Sequence, residues 1–189
     1  IFFLSADIRS TDQKVSIFFY INSKAKVQPL ILGGGQQNGM RSGTDNVPGI
    51  AGLGVASKMM YQNFDEKIEH LYQLKERMAK GLFKIDDVAI NGMPVREGAP
   101  HILSVSFLGI RSEVLLHTLE DRNIFVSAEA HAPAIRETKR HASAMGMSNA
   151  QIENTVRISF SEENTFEEVD YCLEVLNEVL PMLKRYARR

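Results

Sequence analysis

The segment from Gly33 to Gly49 combines a flexible backbone with groups that bind anions. It holds six of the chain's 13 glycines, together with Arg41 and Thr44, and it lies directly before a helix start. Backbone N–H groups, a guanidinium and a hydroxyl at such a place suit phosphate or carboxylate. The spacing fits neither a Walker loop nor a dinucleotide fingerprint. The residues alone leave two interpretations open: an anion site, or a loop whose glycines permit positive φ at an interface.

Composition and charge exclude several classes of function. The 189 residues are 44% hydrophobic and 24% charged, and the formal net charge is −1. This composition indicates a folded globular protein without the basic surface that binds nucleic acid or anionic membranes. Cys172 is the one cysteine, which excludes an internal disulfide and a cysteine-rich zinc site. We expect a cytoplasmic protein without a metal, a targeting segment or a membrane span, and the missing initiator methionine indicates a trimmed chain.

Two elements are expected to flank the glycine segment. The run VSIFFYI, Val15 to Ile21, is continuously apolar and rich in β-branched and aromatic residues, which predicts a strand buried on both faces. Asn46 as a cap and Pro48 in the first turn predict a helix start. Apolar positions then recur with a helical period to about Phe83, so we predict one long helix, kinked near residues 63–65.

The sequence after Ile85 alternates between short strand and helix patterns. Asn164 and Glu167 are predicted to cap a last helix that runs to Pro181 and Met182. The connections are short and are not of the βαβ type, so we predict an antiparallel sheet covered by helices on one face. The predicted strands are VAING, HILSVSF, IFV and TVRISFS, and the other predicted helices are SEVLLHTLEDRN, AIRETKRHASAMG and a turn with a capping box at SNAQ.

Three stretches together carry a resemblance to a known family. They are PLILGGGQQNGMRSGTDNVPGIAGLGVA from Pro29, HILSVSFLGIRSEVLLHTLEDRNIFVS from His101, and TVRISFSEENTFEEVDYCLEVLNEVLPML from Thr155. They closely resemble the NifS-type cysteine desulfurases, members of the class V aminotransferase fold. The resemblance extends from about Val15 onward and corresponds to the C-terminal half of a protein about twice as long.

The resemblance implies an α/β fold with an α+β small domain, pyridoxal 5′-phosphate (PLP) as cofactor, and a dimer. In the family the threonine of the Arg-Ser-Gly-Thr string reaches the PLP phosphate of the other subunit, and Thr44 occupies that position. Arg41, Ser42 and Gly43 are then the other candidate cofactor-binding residues. Residues 1–45 would be a remnant of the PLP-binding large domain, residues 46–84 a long linking helix, and residues 85–189 the small C-terminal domain. The expected partner is a second copy, or a separate N-terminal PLP-binding half.

Three roles that the family requires are vacant at the matching positions. The lysine that carries PLP as a Schiff base falls on Ile8 or Arg9, and the cysteine nucleophile falls near Ala132. The arginine for the substrate carboxylate, counted into the turn after the last strand, falls on Glu162. Cys172 lies on the apolar face of the last helix, which predicts a buried, inert thiol.

Two hypotheses follow for function. The first is a cysteine desulfurase-like, PLP-dependent protein, represented here by its C-terminal portion and inactive alone. The second is a catalytically silent relative that acts as a dimerisation or interaction module. The vacant positions leave no catalytic residue to assign in this chain.

Overall fold

The structure is a computed structural model that describes residue 21, residues 24–128 and residues 146–187. The chain forms two compact units that divide between Phe64 and Asp65. This boundary falls inside the segment assigned from sequence to the linking helix, and the three-part division stays a prediction. The predicted strand at residues 15–21 lies outside the described residues except for Ile21. The predicted helix at residues 134–146 also lies outside them, except for Gly146.

The described part of the first unit consists of the glycine segment and one helix. A short 3-10 turn spans Gln36–Gly39, and helix α1 spans Val47–Tyr61. Asn46 caps α1, as predicted, by accepting a hydrogen bond from the N–H of Gly49 at 3.2 Å. No residue of α1 is buried, although several of its side chains are large and apolar. The most exposed of these are Val47, Val55, Met59, Met60 and Tyr61.

The predicted long helix is two helices. Helix α1 ends at Tyr61, and helix α2 spans Phe64–Leu82. Asn63 between them adopts a φ of 54°, in the left-handed region that asparagine tolerates better than most residues. The predicted kink near residues 63–65 is therefore a complete break, because a left-handed residue cannot continue an α-helix.

The second unit contains an antiparallel four-stranded sheet, as predicted. The strands are β1 (Val88–Asn91), β2 (Ile102–Phe107), β3 (Ser127–Ala128) and β4 (Thr155–Ser159), arranged in the order β1-β2-β4-β3. Helix α3 (Ser112–Glu120) follows β2, helix α4 (Asn149–Glu153) precedes β4, and helix α5 (Phe166–Ala187) follows it. The strand predicted at residues 124–126 is wrong in position: the pairing begins at Ser127, while Ile124 and Val126 pack against the core.

One face of the sheet carries the hydrophobic core. Leu103, Val105 and Phe107 of β2 and Val156 and Ile158 of β4 alternate with polar residues and are buried. The sheet residues pack with apolar side chains of three helices, namely Leu74, Met78 and Leu82 of α2, Leu115 and Leu119 of α3, and Val169, Cys172, Val175, Leu176, Val179 and Leu180 of α5. Across the described ranges, no helix combines the length and apolarity that a bilayer crossing requires.

The start and the end of α5 differ from the sequence prediction. Thr165 and Glu168 form the cap, because the N–H of Glu168 donates to Thr165 Oγ1 at 3.3 Å and the N–H of Thr165 donates to Glu168 Oε2 at 3.1 Å. The prediction of Asn164 and Glu167 was one residue too early. The helix also continues through Pro181 to Ala187, since packing on the core outweighs the backbone hydrogen bond that a proline removes. The predicted capping box of Ser148 and Gln151 is present.

Candidate functional site

The glycine segment is held in shape by its own polar side chains. Ser42 is buried and its hydroxyl donates to the Gly34 carbonyl at 2.8 Å. The N–H of Gly43 donates to Gln36 Oε1 at 3.3 Å, and Gly43 has a φ of 111°, a conformation that favours glycine. Ser42 and Gly43 therefore shape the loop, and their predicted contact with a cofactor stays a prediction.

Arg41 and Thr44 are the loop residues that remain available to a ligand. Arg41 is exposed, and one of its guanidinium nitrogens, Nη1, donates to the Thr44 carbonyl at 3.4 Å. Thr44 is exposed as well, and its hydroxyl has no hydrogen-bond partner within the part of the chain that the structure describes. The pair thus presents a positive charge and a free hydroxyl donor on one short stretch of backbone.

The N-terminus of α1 does not add the backbone donors that the sequence suggested. The N–H of Val47 donates to the Asp45 carbonyl at 3.0 Å, and the N–H of Ile50 donates to the Asn46 carbonyl at 2.9 Å. Gly49 donates to the Asn46 side chain, and Pro48 has no N–H. All first-turn donors of α1 are therefore occupied within the chain, so an anion at this loop would depend on Arg41 and Thr44.

The second unit has a polar row on the sheet face that lies opposite the core. The antiparallel register pairs Asn91 with Ser104, Ser104 with Arg157, and Arg157 with Ser127. Direct cross-strand partners point their side chains to the same face. We call these four residues, one from each strand, the polar row. Arg157 stands inside the row, is exposed, and has no side-chain partner among the described residues.

A hydrogen-bond network adjoins the polar row. Asn91 Nδ2 lies 2.9 Å from Ser106 Oγ and 3.4 Å from Ser104 Oγ. Ser106 Oγ lies 2.7 Å from Thr155 Oγ1, and Thr155 Oγ1 donates to the Gln151 carbonyl at 2.6 Å. Ser106 and Thr155 are fully buried, so these hydrogen bonds satisfy hydroxyls that have no access to water.

The residues at the vacant family positions differ in what the structure shows of them. Ile8, Arg9 and Ala132 lie outside the described residues. Glu162 forms an ion pair with Lys67, whose Nζ is 2.9 Å from Oε2 and 3.0 Å from Oε1. Its carboxylate is therefore already neutralised by a neighbouring cation.

Cys172 is buried, as predicted from the apolar face of the last helix. It is 5% exposed within the core, and burial raises the pKa of its thiol to about 11. Because the thiolate is the nucleophilic form, this thiol is neutral at physiological pH and out of reach of a substrate. Among the described residues no cluster of histidine, cysteine and acidic side chains could hold a metal ion.

Arg157 is the residue that the sequence interpretation left without a role. It belongs to the predicted strand TVRISFS, and the alternation of that strand alone places it on the face away from Val156 and Ile158. An arginine at an outward position of a strand, flanked by serines on both neighbouring strands, is the signal that could have identified it.

Comparisons with known proteins agree with the resemblance drawn from the motifs. Residues 22–172 match the family described as Aminotransferase class-V. A NifS/IcsS protein homolog of Lactobacillus delbrueckii is 36% identical over 154 residues, which are 81% of this chain and 40% of the relative. The cysteine desulfurase IscS of Clostridium botulinum is 35% identical over 164 residues, 85% of this chain and 41% of the relative.

The solved structures give the same fold. A NifS-like protein superposes with a TM-score of 0.71 at 35% identity, covering 87% of this chain and 42% of that one. The α/β fold with an antiparallel sheet and covering helices is thus that of the structurally known cysteine desulfurases. The chain spans about 40% of the length of the curated relatives it matches.

Proposed function

Because the chain belongs to the aminotransferase class-V family, that of the NifS and IscS cysteine desulfurases, we propose that it is the C-terminal portion of a PLP-dependent, cysteine desulfurase-like protein. We further propose that this portion is inactive alone and completes a cofactor site in a partner, either a second copy or a separate N-terminal half. The same family membership and the lone cysteine support a cytoplasmic location.

The free hydroxyl of Thr44 is the observation that carries this proposal. The neighbouring side chains of Gln36, Gln37, Ser42 and Asn46 are engaged inside the loop, whereas the Thr44 hydroxyl is exposed. A hydroxyl donor beside a guanidinium fits a phosphate oxygen. In the proposed function Thr44 donates to the phosphate of PLP in a partner subunit, and Arg41 adds positive charge. PLP, when bound, supplies an electron sink for chemistry at the amino-acid α-carbon.

Arg157 supports the same function through a different group of the substrate. The family needs an arginine close to the last strand for the substrate carboxylate, and Glu162 with its Lys67 partner does not provide one. Arg157 is exposed on β4 and has no carboxylate partner among the described residues. A guanidinium can hold a carboxylate with two parallel N–H donors. We therefore assign the amino-acid carboxylate to Arg157.

The state of Cys172 supports the proposed inactivity. A persulfide acceptor must be a reachable thiolate, and the chain's one cysteine is buried with its pKa raised to about 11. Sulfur transfer to a protein thiol then requires a cysteine from another polypeptide. Binding of cofactor phosphate and substrate carboxylate remains possible for Thr44 and Arg157.

The experiment compares the chain alone with a completed protein. We would join the N-terminal part of the Clostridium botulinum relative to this chain and measure PLP retention after gel filtration, with Thr44→Val as the test variant. The proposal expects the joined protein to retain PLP, Thr44→Val to lower its PLP affinity, and the free chain to release no sulfide from L-cysteine. The control is Thr118→Val, whose exposed hydroxyl bonds only within α3.

Two results would remove the proposal. If the joined protein folds but retains no PLP, or if Thr44→Val binds PLP as tightly as the parent, Thr44 does not complete a cofactor site. Sulfide release by the free chain, with a borohydride-reducible adduct on one of its lysines, would contradict the proposed inactivity.

A silent dimerisation or interaction module is the second candidate. The specific observation in its favour is α1, which has no buried residue and exposes large apolar side chains along its whole length. Such a surface is typical of a site that another protein covers. A stable dimer that binds neither PLP nor amino acids, in either form of the protein, would favour this candidate.

A further inference from the structure

The polar row offers more than one donor to a carboxylate. We propose that Ser104 is a second carboxylate-binding residue beside Arg157, and that Asn91 is a positioning residue that turns the Ser104 hydroxyl proton toward the ligand. The inference deepens the proposed function and rests on it in one respect, since the ligand is taken to be the α-carboxylate of an amino acid.

The register places Ser104 where it can share a ligand with Arg157. The two residues are direct partners in the β2–β4 pair, and the Cβ atoms of such partners lie about 4.5–5.5 Å apart on one face of the sheet. A carboxylate has two oxygens with about four lone-pair sites, so a guanidinium fork leaves room for a further donor. Ser104 is only partly buried, which keeps its hydroxyl accessible from the open face.

The hydrogen-bond network fixes the direction in which each hydroxyl donates. Thr155 uses its proton for the Gln151 carbonyl at 2.6 Å, so across the 2.7 Å contact Ser106 is the donor and Thr155 the acceptor. Ser106 then accepts from Asn91 Nδ2 at 2.9 Å. Donation runs in one direction, from Asn91 through Ser106 and Thr155 to the backbone of α4.

Ser104 is a side branch of this network. The second N–H of Asn91 faces Ser104 Oγ at 3.4 Å, so Ser104 accepts a hydrogen bond and its own proton has no acceptor among the described residues. A serine hydroxyl in this state is a ready donor. Because the polar row contains no acidic side chain, the nearest acceptor that can enter it is an anion attracted by Arg157.

The proposal makes separate demands on the two residues. Removing the hydroxyl with Ser104→Ala deletes one donor to the carboxylate. Asn91→Asp keeps Ser104 but replaces the amide N–H by an acceptor, so the Ser104 proton turns away from the ligand. Both changes should weaken the same interaction, and together they should cost little more than either one alone.

The test measures amino-acid binding by the complete chain without cofactor. NMR titrations would follow the side-chain Nε–H of Arg157 with L-cysteine and with cysteamine, which lacks the carboxylate. We expect Ser104→Ala and Asn91→Asp each to weaken L-cysteine binding about fivefold and to leave cysteamine unchanged, while Ser104→Thr restores binding. Ser159→Ala is the matched control, since Ser159 is exposed on the same face of β4.

The outcomes separate this inference from the proposed function. It is overturned if L-cysteine shifts the Arg157 signal no more than cysteamine does, or if Ser104→Ala binds L-cysteine like the parent chain. Parent-like binding by Asn91→Asp overturns the role of Asn91. No PLP and no turnover enter the assay, so an inactive joined protein would contradict the proposed function while leaving a carboxylate-selective Ser104 in place.

Discussion

Ser104 and Arg157 face each other across strands β2 and β4, on the side of the sheet that is turned away from the hydrophobic core. Their neighbours along the strands, Val105 and Val156, form the adjacent pair and are buried on the other side. A position that accepts a guanidinium thus lies one residue away from a position that accepts only apolar groups. The strand alternation separates binding residues from core residues without any loop between them.

Cys172 should resist thiol reagents in the native protein. Burial raises the pKa of its thiol to about 11, so at about pH 8 the native chain contains almost no thiolate, whereas an exposed cysteine is partly ionised. We expect slow reaction with a chromogenic disulfide and rapid reaction after denaturation. Labelling of the native chain at the rate of a free thiol would show that the last helix does not bury this residue.

Gly81 should be required for the contact between α2 and α5. A Cβ at this position would collide with the side chain of Leu173. Alanine favours a helix over glycine by about 1 kcal/mol, but we expect Gly81→Ala to lower the free energy of unfolding by about 1–2 kcal/mol because of overpacking. Urea denaturation measures the change. Adding Leu173→Ala should make the substitution at Gly81 neutral or stabilising, and a loss that persists would place the strain elsewhere.

The two buried serines Ser112 and Ser106 should respond in opposite ways to alanine. The hydroxyl of Ser112 is buried and has no hydrogen-bond partner among the described residues, so Ser112→Ala should raise the free energy of unfolding by about 1 kcal/mol. Ser106 bonds both Asn91 and Thr155, and Ser106→Ala should lower the free energy of unfolding by about 1–2 kcal/mol. Thermal or urea unfolding of the pair decides, and equal signs would contradict the assignment.

Arg96 should make stability depend on acid pH. It lies between Glu69 and Glu76, and hydrogen bonds from its guanidinium hold the pKa of both carboxyls below the usual 4.5. The folded state then binds fewer protons than the unfolded state, so this contribution is present above pH 4.5 and is lost as the pH falls through the lowered pKa values.

Urea denaturation at a series of pH values tests the Arg96 cluster. Arg96→Leu should flatten the loss of stability below pH 4.5, because the two carboxyls regain ordinary pKa values. Arg111→Leu is the control, since Arg111 is 73% exposed and contacts its carboxylate at 3.4 Å. An unchanged pH profile in Arg96→Leu would show that the cluster does not contribute.

The apolar surface of α1 should control self-association. Val55 is 61% exposed, and Val55→Glu places a charge where a dimer would bury apolar area. We expect this variant to sediment as a monomer at concentrations where the parent chain is dimeric. Lys58→Gln changes the net charge by the same amount and removes no apolar side chain, so it should keep the parent's behaviour. A parent chain that is monomeric at every concentration would contradict the homodimer.

The sequence predicted the parts of the fold that depend on local chemistry. Asn46 and the Ser148–Gln151 box were identified as caps because a side-chain acceptor at the right spacing satisfies free N–H groups in any context. The antiparallel sheet followed from alternating strands with short connections. The start of α5 was placed one residue early because Asn164 and Thr165 are both good caps, and only the tertiary structure selects Thr165.

The sequence did not reveal features that depend on contacts between distant segments. The break at Asn63 looks like a kink in a periodic pattern, and the extension of α5 past Pro181 depends on core packing. Arg157 was overlooked because the carboxylate site was sought by counting into the turn after β4, whereas cross-strand register places it among Ser104 and Ser127. The residues of the glycine loop were identified, but not which of them the loop uses internally.

The alternation of β4 has a consequence for the fidelity of folding. Sliding β4 by one position against β2 would bring Arg157 to the core side and expose Val156 or Ile158. Such a mispaired molecule would lose its carboxylate group and its core at once, so it could not persist as a folded but non-binding species. In this sheet, quality control of the fold and of the ligand site is the same event.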